Sequence, residues 1–145
     1  MANIVVTGVD GSETATRAAQ RAAEVAVAFQ ASLHIVSAYG PGEQRQLADG
    51  EGGRMVISLQ DEAEGFVTEA AERVRAEVPN LEVTTSVVND TPADALVSEA
   101  ERLDALLIVV GNKRVQGPTR ILGSIARTVA ANASCDIYVA NTRPA

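Results

Sequence analysis

The chain has 145 residues, of which 46% are hydrophobic, and 19 acidic against 12 basic residues give a formal net charge of -7. Its length predicts one domain, residues 1–145, with a sizeable core, while a pI near 4.7 and only four aromatic residues argue against a nucleic-acid partner. No apolar run could span a bilayer and the start from Met1 to Asp10 lacks the pattern of a signal peptide, so we expect a cytoplasmic protein without a membrane partner.

The first part of the chain predicts strand, helix and strand. Asn3 to Val9 is short, apolar and β-branched, and Ser12 is the expected N-cap of a helix from Glu13 to about Gln30. One face of this helix is apolar and mostly small: Ala15, Ala18, Ala19, Ala22, Ala26 and Phe29. Leu33 to Tyr39 is the second predicted strand.

The middle of the chain begins with a polar segment, Glu43 to Arg54, which has no period. It is either an ordinary disordered connection or a lid. A helical period then predicts a helix from Ser58 to Val78, followed by a third strand from Leu81 to Val88. Threonine, proline and an acid at residues 91, 92 and 94 start a helix that runs to about Arg102.

The last part of the chain contains the most apolar strand, Ala105 to Val110, which we expect to end at Gly111. A loop, a helix from Ile125 to Ala133 and a final strand from Asp136 to Ala140 follow. The single cysteine, Cys135, excludes an internal disulfide, and its place before a strand favours packing over a reactive thiol.

Strands and helices alternate along the whole chain. This pattern predicts an α/β fold with a single doubly wound, five-stranded parallel sheet and helices on both faces. Ligands of such sheets bind at the carboxyl ends of the strands. We therefore expect Asp10, Ala38, Val88 and Gly111 around one crevice.

The loop before the last helix is basic. Four of the 12 cations and none of the 19 acids lie between Ala105 and Cys135, and three of these cations, Lys113, Arg114 and Arg120, are in the loop. Gly123 and Ser124 then open a helix, whose first amides and positive dipole end favour an anion such as phosphate. The alternative is a tight turn with solvated cations.

Several kinds of chemistry find no support in the sequence. Gly123, not lysine, precedes Ser124, which excludes a Walker A motif, and no G-x-G-x-x-G follows the first strand. The only histidine, His34, has no partner spaced for a triad or metal site and is interpreted as structural. Asp10 either contacts a ribose or a metal-bound water, or forms a turn. Without a positioned base and nucleophile, binding is favoured over catalysis.

The chain resembles the universal stress protein family over its whole length. The resemblance rests on VTGVDGSETATRAAQRAAEVA, VVNDTPADALVSEA and VVGNKRVQGPTRILGSIARTVAANASCDIYVAN. It implies a Rossmann-like fold and regulatory binding of ATP, AMP or cyclic AMP, with or without Mg²⁺, through a G-x2-G-x9-G-[ST] loop. Gly111 and Gly123-Ser124 match the ends of that loop, whereas Arg114 occupies its second glycine position and the spacing is one residue shorter.

The same resemblance implies roles for individual residues. Asp10 would lie near ribose or a phosphate-bound metal, and Ala38 and Val88 near adenine. Six further residues would line the ribose and phosphates: Gly111, Asn112, Arg114, Gly123, Ser124 and Ile125.

Three functions remain open from the sequence: a regulatory adenine-nucleotide-binding protein, a nucleotide-free interaction module, and, more weakly, a slow ATPase or phosphotransferase. We also expect a homodimer through the final strand. Ile137 and Val139 alternate with Tyr138 there, and no lysine or proline discourages pairing.

Overall fold

A computed structural model describes residues 3–40, 58–112 and 122–142. The chain alternates strands and helices in the order β1 Ile4–Gly8, α1 Glu13–Ala28, β2 Ser32–Tyr39, α2 Leu59–Glu77, β3 Val83–Asn89, α3 Pro92–Leu103, β4 Leu107–Asn112, α4 Ser124–Asn132 and β5 Asp136–Asn141. All neighbouring strands pair in parallel. The sheet order is β3-β2-β1-β4-β5, which confirms the predicted doubly wound α/β fold.

The two faces of the sheet carry separate apolar cores, because successive side chains of a strand point to opposite faces. Val5 of β1 packs in the core beneath α1 and α2. Val6, the next residue, packs in the core beneath α3 and α4. Both are fully buried. The apolar composition of β1 and β4 follows from their central position between two layers of helices.

Hydroxyl side chains cap three of the four helices in the described part of the chain. Ser12, Ser58 and Thr91 each accept a hydrogen bond from a backbone N–H three residues later. These contacts satisfy donors that lack a partner within the helix, which fixes where each helix begins. The N-caps expected at Ser12 and Thr91 are confirmed.

Gly111 does not end its strand, contrary to the sequence-based expectation. β4 continues through Asn112, since Gly111 pairs with Ala140 and Asn112 with Asn141. A Cβ atom at residue 111 would lie 2.9 Å from Thr142 Cγ2 and 3.1 Å from Ala18 Cβ. The glycine therefore allows close packing within the sheet layer and against α1, rather than a turn.

Phe29 is also placed differently from the prediction. It is the C-cap of α1 and its side chain is 51% exposed, because the helix ends at Ala28 before the apolar face repeats once more. Gln30 follows with φ at 54°, in the left-handed region that turns the chain toward β2.

β3 and β5 form the two edges of the sheet in the described part of the chain. On β5, Tyr138 and Val139 are 37% and 38% exposed. Cys135, just before β5, is half-buried against the core beneath α3 and α4. Burial raises the pKa of its thiol, which agrees with the packing interpretation.

Candidate functional site

A crevice opens at the carboxyl ends of the central strands. It is lined by Gly8, Val9, Asp10, Ser12, Thr14, Ala15, Ala18, Val36, Ala38, Pro92, Ala95, Leu96, Val109, Val110, Gly111 and Ile125. β1 lies between β2 and β4, and the chain leaves β1 and β4 toward opposite faces of the sheet. The crevice thus occupies the switch point at which doubly wound sheets bind ligands.

The lining is mostly apolar with a few polar groups at one side. Ala38, Val36 and Leu96 offer aliphatic surface, whereas Asp10 and Ser12 bring a carboxylate and a hydroxyl. Such a combination suits a ligand with an apolar part joined to a polar one. The described residues enclose about 130 Å³, less than the roughly 300–1,000 Å³ of complete ligand pockets.

The structure brings four of the predicted site residues together. Asp10, Ala38, Gly111 and Ile125 all line the crevice, although they come from positions spread over most of the chain. They meet because Asp10, Ala38 and Gly111 lie at or just after the carboxyl ends of parallel strands. Ile125 lies in the first turn of α4.

Other predicted residues lie close to the crevice without lining it. Val88 pairs in register with Ala38, one strand farther toward the sheet edge. Asn112 is buried and accepts a hydrogen bond through Oδ1 from the Gly123 N–H at 3.3 Å. This contact holds the start of α4 against the end of β4. Ser124 is the first residue of α4. Arg114, with Lys113 and Arg120, lies outside the described residues.

Asp10 forms the turn that the sequence allowed. Its Oδ1 accepts a hydrogen bond from the Ser12 N–H at 2.9 Å, and Gly11 between them has φ at 84°. This Asx turn aims the start of α1 toward the crevice. Because Asp10 also lines the crevice, the turn leaves its carboxylate able to contact a ligand.

α4 starts without a side-chain cap. Gly123 is its N-cap, makes no side-chain cap hydrogen bond, and has extended backbone angles of φ -64° and ψ 166°. No acid lies in the first turn. The first amides and the positive dipole end of α4 are therefore not offset by a carboxylate on the same helix, a condition that suits an anion.

Sequence reasoning missed the residues that helix starts bring to the crevice. Ser12, Thr14 and Pro92 belong to the starts of α1 and α3. Gly8 was also missed, and a Cβ atom there would lie 3.3 Å from Leu96 Cδ2. Following each strand into the next helix would have identified the first three, whereas Gly8 depends on how α3 packs over β1.

Two negative findings apply to the described residues. No group of three or more His, Cys, Asp or Glu residues is placed to hold a metal ion within residues 3–40, 58–112 and 122–142. No described helix is long and apolar enough to cross a membrane.

Comparison with known proteins agrees with the fold. The model of the universal stress protein family matches residues 1–141. Universal stress protein Rv1636 of Mycobacterium tuberculosis is 35% identical, with 95% of each chain covered. Universal stress protein Rv3134c of the same organism is 34% identical over 99% of this chain, which spans only half the length of that relative.

Solved structures of universal stress proteins share this fold. A universal stress protein in complex with cAMP matches 97% of this chain and 98% of its own, with a TM-score of 0.71 and 31% identity. The universal stress protein from Archaeoglobus fulgidus in complex with dAMP matches 96% and 97%, with a TM-score of 0.68 and 26% identity. From its fold, the family match and these relatives, the chain belongs to the universal stress protein family.

Proposed function

We propose that this protein binds an adenine nucleotide, ATP, AMP or cyclic AMP, in the crevice and acts as a regulatory binding protein rather than an enzyme. The observation that carries the proposal is the crevice itself, at the switch point, with an aliphatic floor and a carboxylate at its edge. The solved relatives in complex with cAMP and dAMP support the adenine class. A cytoplasmic location and a homodimer through β5 belong to the same proposal.

The described residues fit different parts of such a ligand. Ala38 and Leu96 provide apolar surface for a base, and Asp10 provides a carboxylate that can accept from ribose hydroxyls. The uncapped start of α4 at Gly123 suits a phosphate. Mg²⁺, if it accompanies the nucleotide, would be held chiefly by the phosphates, with Asp10 as the carboxylate that the described residues bring to the crevice.

The test is thermal unfolding with ATP, AMP and cyclic AMP at millimolar concentration. A ligand that binds only the folded state at a hundredfold excess over Kd adds about 2.7 kcal/mol, which corresponds to a rise in Tm of roughly 5 to 11 °C for a chain of this size. No shift with any of the three nucleotides would overturn the proposal and favour the nucleotide-free interaction module.

Gly123→Val locates the site. The extended angles at Gly123 accept a β-branched residue, and among the described residues the nearest atom to an added Cβ is Asn112 Oδ1 at 3.6 Å. The variant should fold yet lose the nucleotide-induced shift, because its side chain occupies the approach to the first amides of α4. Ala131→Val, at an exposed position near the other end of α4, is the matched control and should keep the shift. An unchanged shift in Gly123→Val would place the phosphate elsewhere.

A further inference from the structure

A group of polar side chains, partly buried and partly exposed, lies between β2, β3 and α3, and none of its members lines the crevice. It consists of His34, Thr84, Ser86, Glu99 and Arg102, and we call it the His34 cluster. His34 and Glu99 are 4% and 7% exposed. Thr84 is exposed at the surface, on the edge strand β3. The cluster therefore connects a buried imidazole to a surface hydroxyl.

His34 is hydrogen-bonded at both ring nitrogens. Nδ1 lies 2.7 Å from Thr84 Oγ1, and Nε2 lies 3.0 Å from Ser86 Oγ and 3.1 Å from Glu99 Oε1. These partners are 50, 52 and 65 residues away along the chain, so spacing in the sequence did not reveal them. The burial of His34 agrees with the structural role expected from the sequence. Its hydrogen bonds also indicate which ring nitrogen carries the proton.

The hydrogen-bond network determines which nitrogen carries the proton. The Ser86 hydroxyl donates to Glu99 Oε1 at 2.7 Å, so it has no proton left for His34 Nε2. Nε2 therefore carries the proton and donates toward Glu99. Nδ1 is then the unprotonated nitrogen of a neutral ring and accepts from the Thr84 hydroxyl.

Burial of the His34 ring, together with an ionised Glu99, keeps this arrangement at neutral pH. Arg102 donates to both oxygens of Glu99, Nε to Oε2 and Nη2 to Oε1, each at 2.8 Å. These bonds lower the pKa of Glu99 to about 2, so it is ionised. Burial lowers the pKa of His34, with a smaller opposing effect from Glu99. Among the described residues, the charged groups that act on the imidazole are Glu99 and Arg102, both from α3.

Thr84 thus occupies the position of an activated nucleophile. Its hydroxyl contacts an unprotonated nitrogen, and a carboxylate orients the opposite nitrogen of the same ring, which is the arrangement of nucleophile, base and orienting group. The Leu33 N–H donates to the Glu82 carbonyl, and the register pairs Leu33 with Val83. In a parallel ladder this register points the Thr84 N–H toward β2, so the next N–H, that of Thr85, points away from β2. At this edge of the described sheet, the Thr85 N–H can donate to a developing oxyanion.

We propose that Thr84 is a nucleophilic threonine that accepts an acyl group from small activated acyl donors, with His34 as its general base and Glu99 and Arg102 as positioning residues. The donor is a small activated acyl compound, such as an aryl ester, a thioester or an acyl phosphate, which can reach Thr84 because this residue is exposed on β3, an edge strand of the described sheet. The modified product is an ester at Thr84 Oγ1.

The reaction is a balanced acyl transfer. Thr84 Oγ1 forms a bond to the acyl carbon, and its proton passes to His34 Nδ1. The bond from the acyl carbon to the leaving group breaks, and the leaving group departs with the electron pair of that bond. Glu99 offsets the positive charge of the imidazolium, which then releases the proton to the leaving group or to water.

The experiment uses 4-nitrophenyl acetate as the acyl donor and the full chain, with peptide mass spectrometry to measure acetylation at each hydroxyl. Thr85 is the internal control, because it is exposed on the same strand and its side chain points to the opposite face from His34. We expect acetylation at Thr84 to exceed that at Thr85 and His34→Gln to lower the Thr84 rate about a hundredfold. Thr84→Ser should remain reactive.

A second readout needs no variant at all. His34 is the only histidine, so its ring protons give one imidazole signal in a proton NMR titration. The Thr84 acetylation rate should rise with pH along the same curve as that signal. Equal acetylation of Thr84 and Thr85, or a Thr84 rate that ignores the titration of His34, would overturn the proposal. Because the cluster lies outside the crevice, neither result depends on nucleotide binding.

Discussion

Replacing Gly111 with alanine tests whether this glycine serves packing rather than phosphate binding. The added Cβ would lie 2.9 Å from Thr142 Cγ2, 3.1 Å from Ala18 Cβ and 3.2 Å from the Thr14 carbonyl oxygen. The first distance is shorter than such contacts allow, and the other two partners belong to α1. Thr142 and Ala18 are 4% and 2% exposed, so neither can move into solvent.

The expected cost follows from this crowding. Inserting one methyl group into a packed core destabilises a protein by roughly 1–3 kcal/mol. For a chain of this length that corresponds to a fall in Tm of roughly 2 to 12 °C. The loss should appear without any ligand, because every crowded atom belongs to the protein. Thr142→Ser removes the nearest methyl group, so it should recover part of the loss in a double-mutant cycle.

Gly65→Ala is the matched control. Gly65 lies within α2, and an added Cβ there would have no atom of the other described elements within 4 Å. Alanine should stabilise this helix by roughly 0.5–1 kcal/mol. Both variants are compared with wild type by urea unfolding and thermal scans without nucleotide. A Gly111→Ala protein as stable as wild type would refute the packing argument, and loss of nucleotide binding alone would return Gly111 to the phosphate role.

Two further predictions concern pH and assembly. Stability should fall as the pH drops below 6.5, the ordinary value for histidine, because burial disfavours protonated His34 in the folded state and the unfolded chain then binds more protons. Stability should fall further below pH 4.5, because the pKa of Glu99 is lowered to about 2 in the folded state and the unfolded chain therefore takes up a proton first. Urea unfolding between pH 7 and 4 measures both losses, and a flat profile would contradict them. Val139→Pro should convert a dimer to a monomer in light scattering: the Thr142 N–H donates to the Asn112 carbonyl, and strand alternation directs the Val139 N–H outward, away from β4. Ala140→Pro, which removes a donor toward β4, should instead destabilise the monomer, and a wild-type monomer or an equally dimeric Val139→Pro variant would rule out this interface.

Local patterns in the sequence were enough to predict the fold. Apolar runs such as Ala105 to Val110 are typical of strands in a sheet that is covered by helices on both faces. Ser12 and Thr91 indicate helix starts because a hydroxyl at the N-cap can accept a hydrogen bond from the backbone N–H three residues later. Strand and helix alternation then favours right-handed crossovers. The observed strand order confirms the doubly wound sheet that this pattern predicts.

Tertiary structure decided what each residue contacts. The sequence predicts that β4 ends at Gly111. In the structure, Thr142 and Ala18, from distant segments, pack so close to Gly111 that they leave little room for a side chain. Phe29 fits the apolar period of α1, yet the helix ends before it is covered. His34 has no partner nearby in the chain and acquires Thr84 and Glu99 through sheet register and helix packing. Periodicity and caps depend on neighbours within a few residues, whereas these contacts depend on how separate elements meet, which no local pattern contains.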